Sequence, residues 1–199
     1  ATVAWALAKL DLRPDRALLH ALQAGARARA PEMSAQEVSM FVWALGRCPA
    51  ARGDPATLAF LSGFEAAAVR RARDFTAAGV GNVLGGWAAL GHAPGPAALD
   101  ALCLQLRAVE LALDPGLLSA IIPAFGRFGY RPHDDALWCL WRAVDRDVKK
   151  FRRRDLLEIL DAFDDMDFQL DRDLGNYKLD EVAGGLRLEA GGGSLRLER

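Results

Sequence analysis

The sequence has little of what sites of covalent or metal chemistry are usually built from. It contains three cysteines and three histidines in 199 residues. Cys48, Cys103 and Cys139 are far apart, with no CxxC pair and no histidine cluster beside them, which argues against a zinc site and a disulfide framework and leaves ordinary buried thiols. His20, His92 and His133 fall in different segments. No Ser/His/Asp set, paired-carboxylate loop or phosphate-binding motif accompanies them, so neither an enzyme nor a cofactor site is expected. The stretch GVGNVLGG (79–86) is rich in glycine but lacks the Lys-Ser/Thr of a P-loop, and it reads as a close helix contact or a kink. No apolar run approaches the roughly 20 residues of a membrane span, so no membrane partner is expected. Period-two alternation, the mark of a strand, is missing until the tail.

What the chain does have is a repeat. Residues 113–151 hold one complete copy, in which Asp114 is a good N-cap, Pro115 suits the first helical position, and Leu113 and Leu118 are placed for a hydrophobic staple. Apolar residues at Leu118, Ile121, Ile122 and Phe125 mark one helix, which Gly129 and Pro132 end; a second helix buries Leu137, Leu140, Trp141 and Val144. Such a pair leaves an apolar side open and needs neighbours.

Aligned on the first helix, Ala6, Ala44, Gly86, Ala124 and Ala162 are equivalent, at spacings of 38, 42, 38 and 38, with the four extra residues of unit two assigned to its CPAARGDP turn. Caps at Ser34, Thr76, Asp114 and Arg152 keep the same register, and an LxxL pair recurs in four second helices (Leu19/Leu22, Leu58/Leu61, Leu99/Leu102, Leu137/Leu140). The predicted fold class is all-α: a right-handed solenoid of about four and a half helical hairpins of 38 residues over 1–174. Its units run 1–32, 33–74, 75–112, 113–150 and 151–174, and a Gly-rich C-terminal extension follows over 175–199. A short helix is expected at LDRDLGNYKLDEV (170–182), and the two LRLE phrases around a Gly-rich joint fit a hairpin or a flexible extension. ATVAWALAKL reads as the middle of a helix, so further repeats or a targeting segment are expected upstream.

Net charge is −1 but unevenly spread. Residues 1–154 carry 20 Lys/Arg against 14 Asp/Glu, whereas 155–181 carry 2 against 10. A basic body attracts phosphate, and the acidic 155–181 segment suits solvent or a basic protein neighbour.

A 38-residue helical hairpin whose first helix ends in Trp5-Ala6-Leu7-Ala8-Lys9-Leu10 or Trp43-Ala44-Leu45-Gly46, followed by a Pro turn, resembles the octotricopeptide repeat family. The likeness covers residues 1 to about 170. It implies an organellar RNA-binding protein acting in RNA stability, processing or translation, or a subunit of an organellar ribosome. The family's PPPEW signature is absent, as is room after residue 175 for a RAP domain. With the acidic end, the resemblance leads to an expected accessory component of a mitochondrial ribosome, the mitochondrion being favoured over the chloroplast. Its partners would be ribosomal RNA and neighbouring ribonucleoprotein subunits. A free messenger-RNA factor and a protein-binding scaffold of the same fold remain alternatives.

Candidate RNA contacts follow from position in the unit. Counting the cap as zero, position six holds Thr2, Met40, Asn82, Ala120 and Glu158, and position five holds Ala1, Ser39, Gly81, Ser119 and Leu157. Of these, Ser39, Asn82 and Ser119 carry groups suited to base edges, the alternative being plain exposed helix residues. Lys9, Arg47 and Arg127 share one site and Arg13 and Arg131 another, forming either a phosphate-tracking ladder or a solvated face. Lys149, Lys150, Arg152, Arg153 and Arg154 make the densest basic run, read as phosphate-binding or as a charged turn. Trp5 and Trp43, at position nine, are read as packing residues or stacking surfaces; Trp87, Trp138 and Trp141 are assigned to packing. The carboxylates Asp161, Asp164, Asp165 and Asp167 read as a solvated face, not a metal site.

Overall fold

A computed structural model describes residues 1–168 in full and, beyond them, the backbone of four strands; residues 169–172, 175–176, 183–184, 191–192 and 199 lie outside the description. The described body is all-helical. Its α-helices are α1 (Thr2–Lys9), α2 (Arg16–Arg29), α3 (Ala35–Gly46), α4 (Pro55–Arg70), α5 (Ala77–Leu90), α6 (Pro96–Ala108), α7 (Pro115–Phe128), α8 (Asp134–Asp147) and α9 (Arg153–Asp165). Each odd helix packs on the next odd helix and each even helix on the next even one, which makes two layers of successive hairpins.

Helix starts follow from side-chain chemistry. Ser34 and Glu37 close a capping box, with Glu37 N–H donating to Ser34 Oγ at 3.2 Å and Ser34 N–H to Glu37 Oε2 at 3.0 Å. Thr76 and Asp114 accept from the amides of Gly79 and Leu117. Arg152 offers α9 no such bond. The staples Met33, Phe75 and Leu113 are buried against the core that holds Val38, Val80 and Leu118.

Helix ends repeat as well. Asp11, Gly91, Gly129 and Asp167 occupy the same place in their units, all with left-handed φ, of 53°, 70°, 61° and 50°. The next amide reaches back five residues each time: Leu12 to Leu7, His92 to Trp87, Tyr130 to Phe125 and Phe168 to Phe163, at 2.9–3.2 Å. Unit two has Pro49 there, and its ring forbids positive φ. The chain instead makes a 3-10 turn over Pro49–Ala51 and takes its left-handed residue at Gly53 (φ 69°), just before the Asp54 cap. The four extra residues lie in that turn.

The first-helix layer is close-packed because small residues face each other. A Cβ on Gly86 would lie 2.8 Å from the Val42 carbonyl oxygen, and one on Gly46 3.0 Å from Gly86 Cα, so Gly86 serves close helix contact. Gly81 meets Leu117 near the helix starts, and Gly126 meets Ala162 near the helix ends. Contacts between like positions at both ends mean that the first helices run parallel.

The hairpins of units two, three and four are also clasped by a hydrogen bond that no local pattern announces. The carbonyls of Met33, Phe75 and Leu113, each just before a first-helix cap, accept from Arg71 Nε at 2.9 Å, from Gln105 Nε2 at 2.6 Å and from Arg146 Nη2. All three donors lie at or near the end of the second helix of the same unit.

The expected final helix is corrected in the tail. Of residues 170–182, those described are strands: Asp173–Leu174 and Tyr177–Val182, followed by Gly185–Ala190 and Gly193–Glu198, antiparallel in chain order. Leu186 pairs with Leu197 and Leu188 with Leu195, so the two LRLE phrases lie side by side. The strand period lies in the two LRLE phrases, and Tyr177–Val182 is drawn into the sheet by pairing along Gly185–Ala190. The helical body therefore ends before the 174 boundary, since Asp173 already belongs to a strand.

Candidate nucleic-acid interface

Lys9 ends α1 and Arg47 caps the C-terminal end of α3, each four residues after a tryptophan and so on the same helix face. Lys9 Nζ lies 5.5 Å from the Trp5 ring centroid and 5.3 Å from that of Trp43 in the next unit, and Arg47 Cζ lies 5.3 Å from Trp43. The order Trp5, Lys9, Trp43, Arg47 is thus a continuous cation–aromatic stack across two units. Trp5 is 36% exposed and Trp43 half-buried, so position nine combines packing with an accessible ring surface. The signal was present in sequence as W-x-x-x-K and W-x-x-x-R.

Farther along the same row, Ala89 replaces the cation, Arg127 restores it and Asp165 reverses its sign. Lys9, Arg47, Arg127 and Arg13 are all exposed and make no ion pair among the described residues. Arg131 is spent on Asp134 at 2.7 Å.

The dense run falls at the other rim of the layer. Lys149 and Lys150 end a 3-10 turn, and Arg152, Arg153 and Arg154 surround the start of α9, whereas Lys9, Arg47 and Arg127 sit at helix C-terminal ends. Parallel first helices of about 13 residues hold these rims about 20 Å apart. Within the run, Lys150 pairs with Asp147 at 2.6 Å and Arg154 with Glu158 at 2.9 Å; Lys149, Arg152 and Arg153 remain exposed without an ion pair among the described residues. Lys150 and then Arg146 hold the Asp147 carboxyl below its usual range. Cations at a helix start oppose the macrodipole, so the run is poorly explained as a stabilising cap.

Of the three polar candidates, Ser39 is corrected, and Ser119 stays half-buried with its donor used. Ser39 is 4% exposed and its hydroxyl donates to the Gln36 carbonyl at 2.9 Å. Ser119 donates likewise to Pro115 at 2.7 Å. Position five faces the neighbouring first helix, as Gly81 shows where it meets Leu117, and a hydroxyl there turns to its own backbone. Asn82 differs: at position six it is half-buried, with no hydrogen-bond partner among the described residues, in an open groove of about 580 Å³. Trp5, Gln36, Met40, Asp74 and Gly79 line the same groove, so α1, α3 and α5 all contribute. Gln36 and Asp74 were missed because their part depends on which helices meet.

Other expectations fare variously. Trp87 and Trp141 are buried, but Trp138 is 42% exposed, its ring edge-on to Phe168 at 5.1 Å. All three cysteines are buried and free, and burial pushes the Cys103 and Cys139 thiols up to about 12, leaving them protonated at neutral pH. His92 bonds Glu65 at 2.8 Å and His20 bonds Asp54 at 3.2 Å. Among the described residues no group of three or more His, Cys, Asp or Glu converges as a metal site, and no helix is long and apolar enough to cross a membrane. The acidic 155–181 segment is described with side chains through Phe168, where Asp161, Asp164, Asp165 and Asp167 are exposed. Compared with known proteins, the chain matches no family model and no curated protein sequence.

Proposed function

We propose that this chain is an RNA-binding helical-repeat protein that lays single-stranded RNA along its first-helix layer. The observation that carries this reading is the stack of Trp5, Lys9, Trp43 and Arg47, whose cations have no carboxylate partner among the described residues. Aromatic faces take bases and adjacent unspent cations take phosphates, the pairing that single-strand binders use. Arg127 extends the row, and Lys149, Arg152 and Arg153 supply a second rim.

The finer reading is a structural or accessory component of a mitochondrial ribosome that holds ribosomal RNA segments. It is supported by the resemblance to octotricopeptide repeats and by the division of charge, a basic body joined to an acidic α9 suited to a basic protein neighbour. Co-sedimentation of the native protein with ribosomal particles, lost on charge reversal in α9, is the expected result. Sedimentation free of them in gently prepared extract would return the protein to a messenger-RNA factor.

The direct test is salt dependence. Affinity for an unstructured RNA oligomer should fall with salt at a log–log slope of about −0.7 for each phosphate neutralised, and Lys9→Gln with Arg47→Gln should flatten that slope by roughly one to two. A protein scaffold would bind no RNA in this assay.

A further inference from the structure

We infer that the groove between α1, α3 and α5 seats one unpaired adenine of the bound RNA, with Trp5 as its stacking surface and the Asn82 amide reading its edge. This rests on the RNA-binding reading above. The groove's open volume of about 580 Å³ lies within the roughly 300–1,000 Å³ of small-ligand sites, ample for one base. Its walls divide by chemistry. Trp5, 36% exposed, and the Met40 side chain offer apolar surface to a ring, whereas Asn82, Gln36 and Asp74 offer hydrogen-bonding groups.

The polar groups select the ligand. Asn82 has a carbonyl oxygen to accept and an amino group to donate, and no protein partner among the described residues uses either. A side-chain amide matches adenine, whose amino group donates while the adjacent ring nitrogen accepts; cytosine carries the same pair, but the two-ring purine covers more of the Trp5 face. Asp74 accepts only, so it repels a phosphate and favours a base that carries an exocyclic amine. Uracil presents no such amine. The phosphates flanking the seated base fall instead to Lys9, one helical turn from Trp5.

The test compares fluorescence anisotropy of labelled nine-residue oligouridylate with the same oligomer bearing one central adenine. The wild-type protein should prefer the adenine oligomer by about five- to a hundredfold, the range of one amide–adenine pair. Asn82→Ala should bring the two affinities together by weakening the adenine oligomer alone, and Trp5→Leu should weaken both, each variant keeping its wild-type circular dichroism. Absence of the wild-type preference, or its survival in Asn82→Ala, would overturn the groove assignment while salt-dependent binding of both oligomers upheld the RNA reading. Binding of neither oligomer would overturn both.

Discussion

Lys9 places its ammonium 5.3 Å from the centre of the Trp43 ring in the following unit, so a contact between two repeats is also the start of the exposed cation row. A double-mutant cycle of Lys9→Met and Trp43→Leu, followed by urea unfolding, should give a coupling energy of about 0.5–1 kcal/mol. Additive losses would mean that the two side chains do not interact in solution.

Close approach of α3 and α5 predicts opposite outcomes at adjacent glycines. Gly86→Ala directs its methyl at the Val42 carbonyl, 2.8 Å away, where only backbone can yield, and should destabilise the fold by about 1–3 kcal/mol. Gly85→Ala meets the Ala120 methyl at an ordinary 3.5 Å and should stabilise by up to about 1 kcal/mol through helix propensity. Thermal unfolding of the two variants decides it.

The hairpin clasp is testable at Gln105, a buried amide that donates to the Phe75 carbonyl. Gln105→Leu keeps the bulk but strands that carbonyl, at an expected cost of about 1–3 kcal/mol. Chemical denaturation should show the loss, and an unchanged midpoint would mean that water replaces the amide.

Acid sensitivity should report the Arg142–Glu110 pair. Two bonds of 2.9 Å from the guanidinium hold the Glu110 carboxyl below its usual range. A lowered folded pKa adds stability that is present above the ordinary Glu value of about 4.3 and is lost as pH falls through the folded value. The wild-type advantage over Arg142→Gln should therefore be full near pH 6 and shrink steadily below about pH 4. An advantage independent of pH would point to packing of the Arg142 stem instead.

These particulars explain what could be read from sequence. The repeat register was legible because caps, staples and LxxL pairs are local features that recur independently, and the two-layer packing follows from them. The clasp was not, because Arg71, Gln105 and Arg146 lie at unequal sequence distances from the carbonyls they meet. Ser39 was misplaced because position five faces a neighbouring helix, which only the packing reveals. The Lys9–Arg47–Arg127 row and the 149–154 run were legible as separate sets, but their placement on opposite rims depends on the first helices running parallel. The final helix at 170–182 failed because that segment pairs with the alternating LRLE strands that follow it, a long-range preference its own composition does not announce.

Photo-cross-linking of the native protein to RNA in cell extract, with mapping of the linked peptides, tests the central claim most directly. Links at the segments holding Trp5–Lys9 and Trp43–Arg47, joined by weaker ones at 149–154, are the expected result. Cross-links confined to the even-numbered helices, or none at all, would contradict the account.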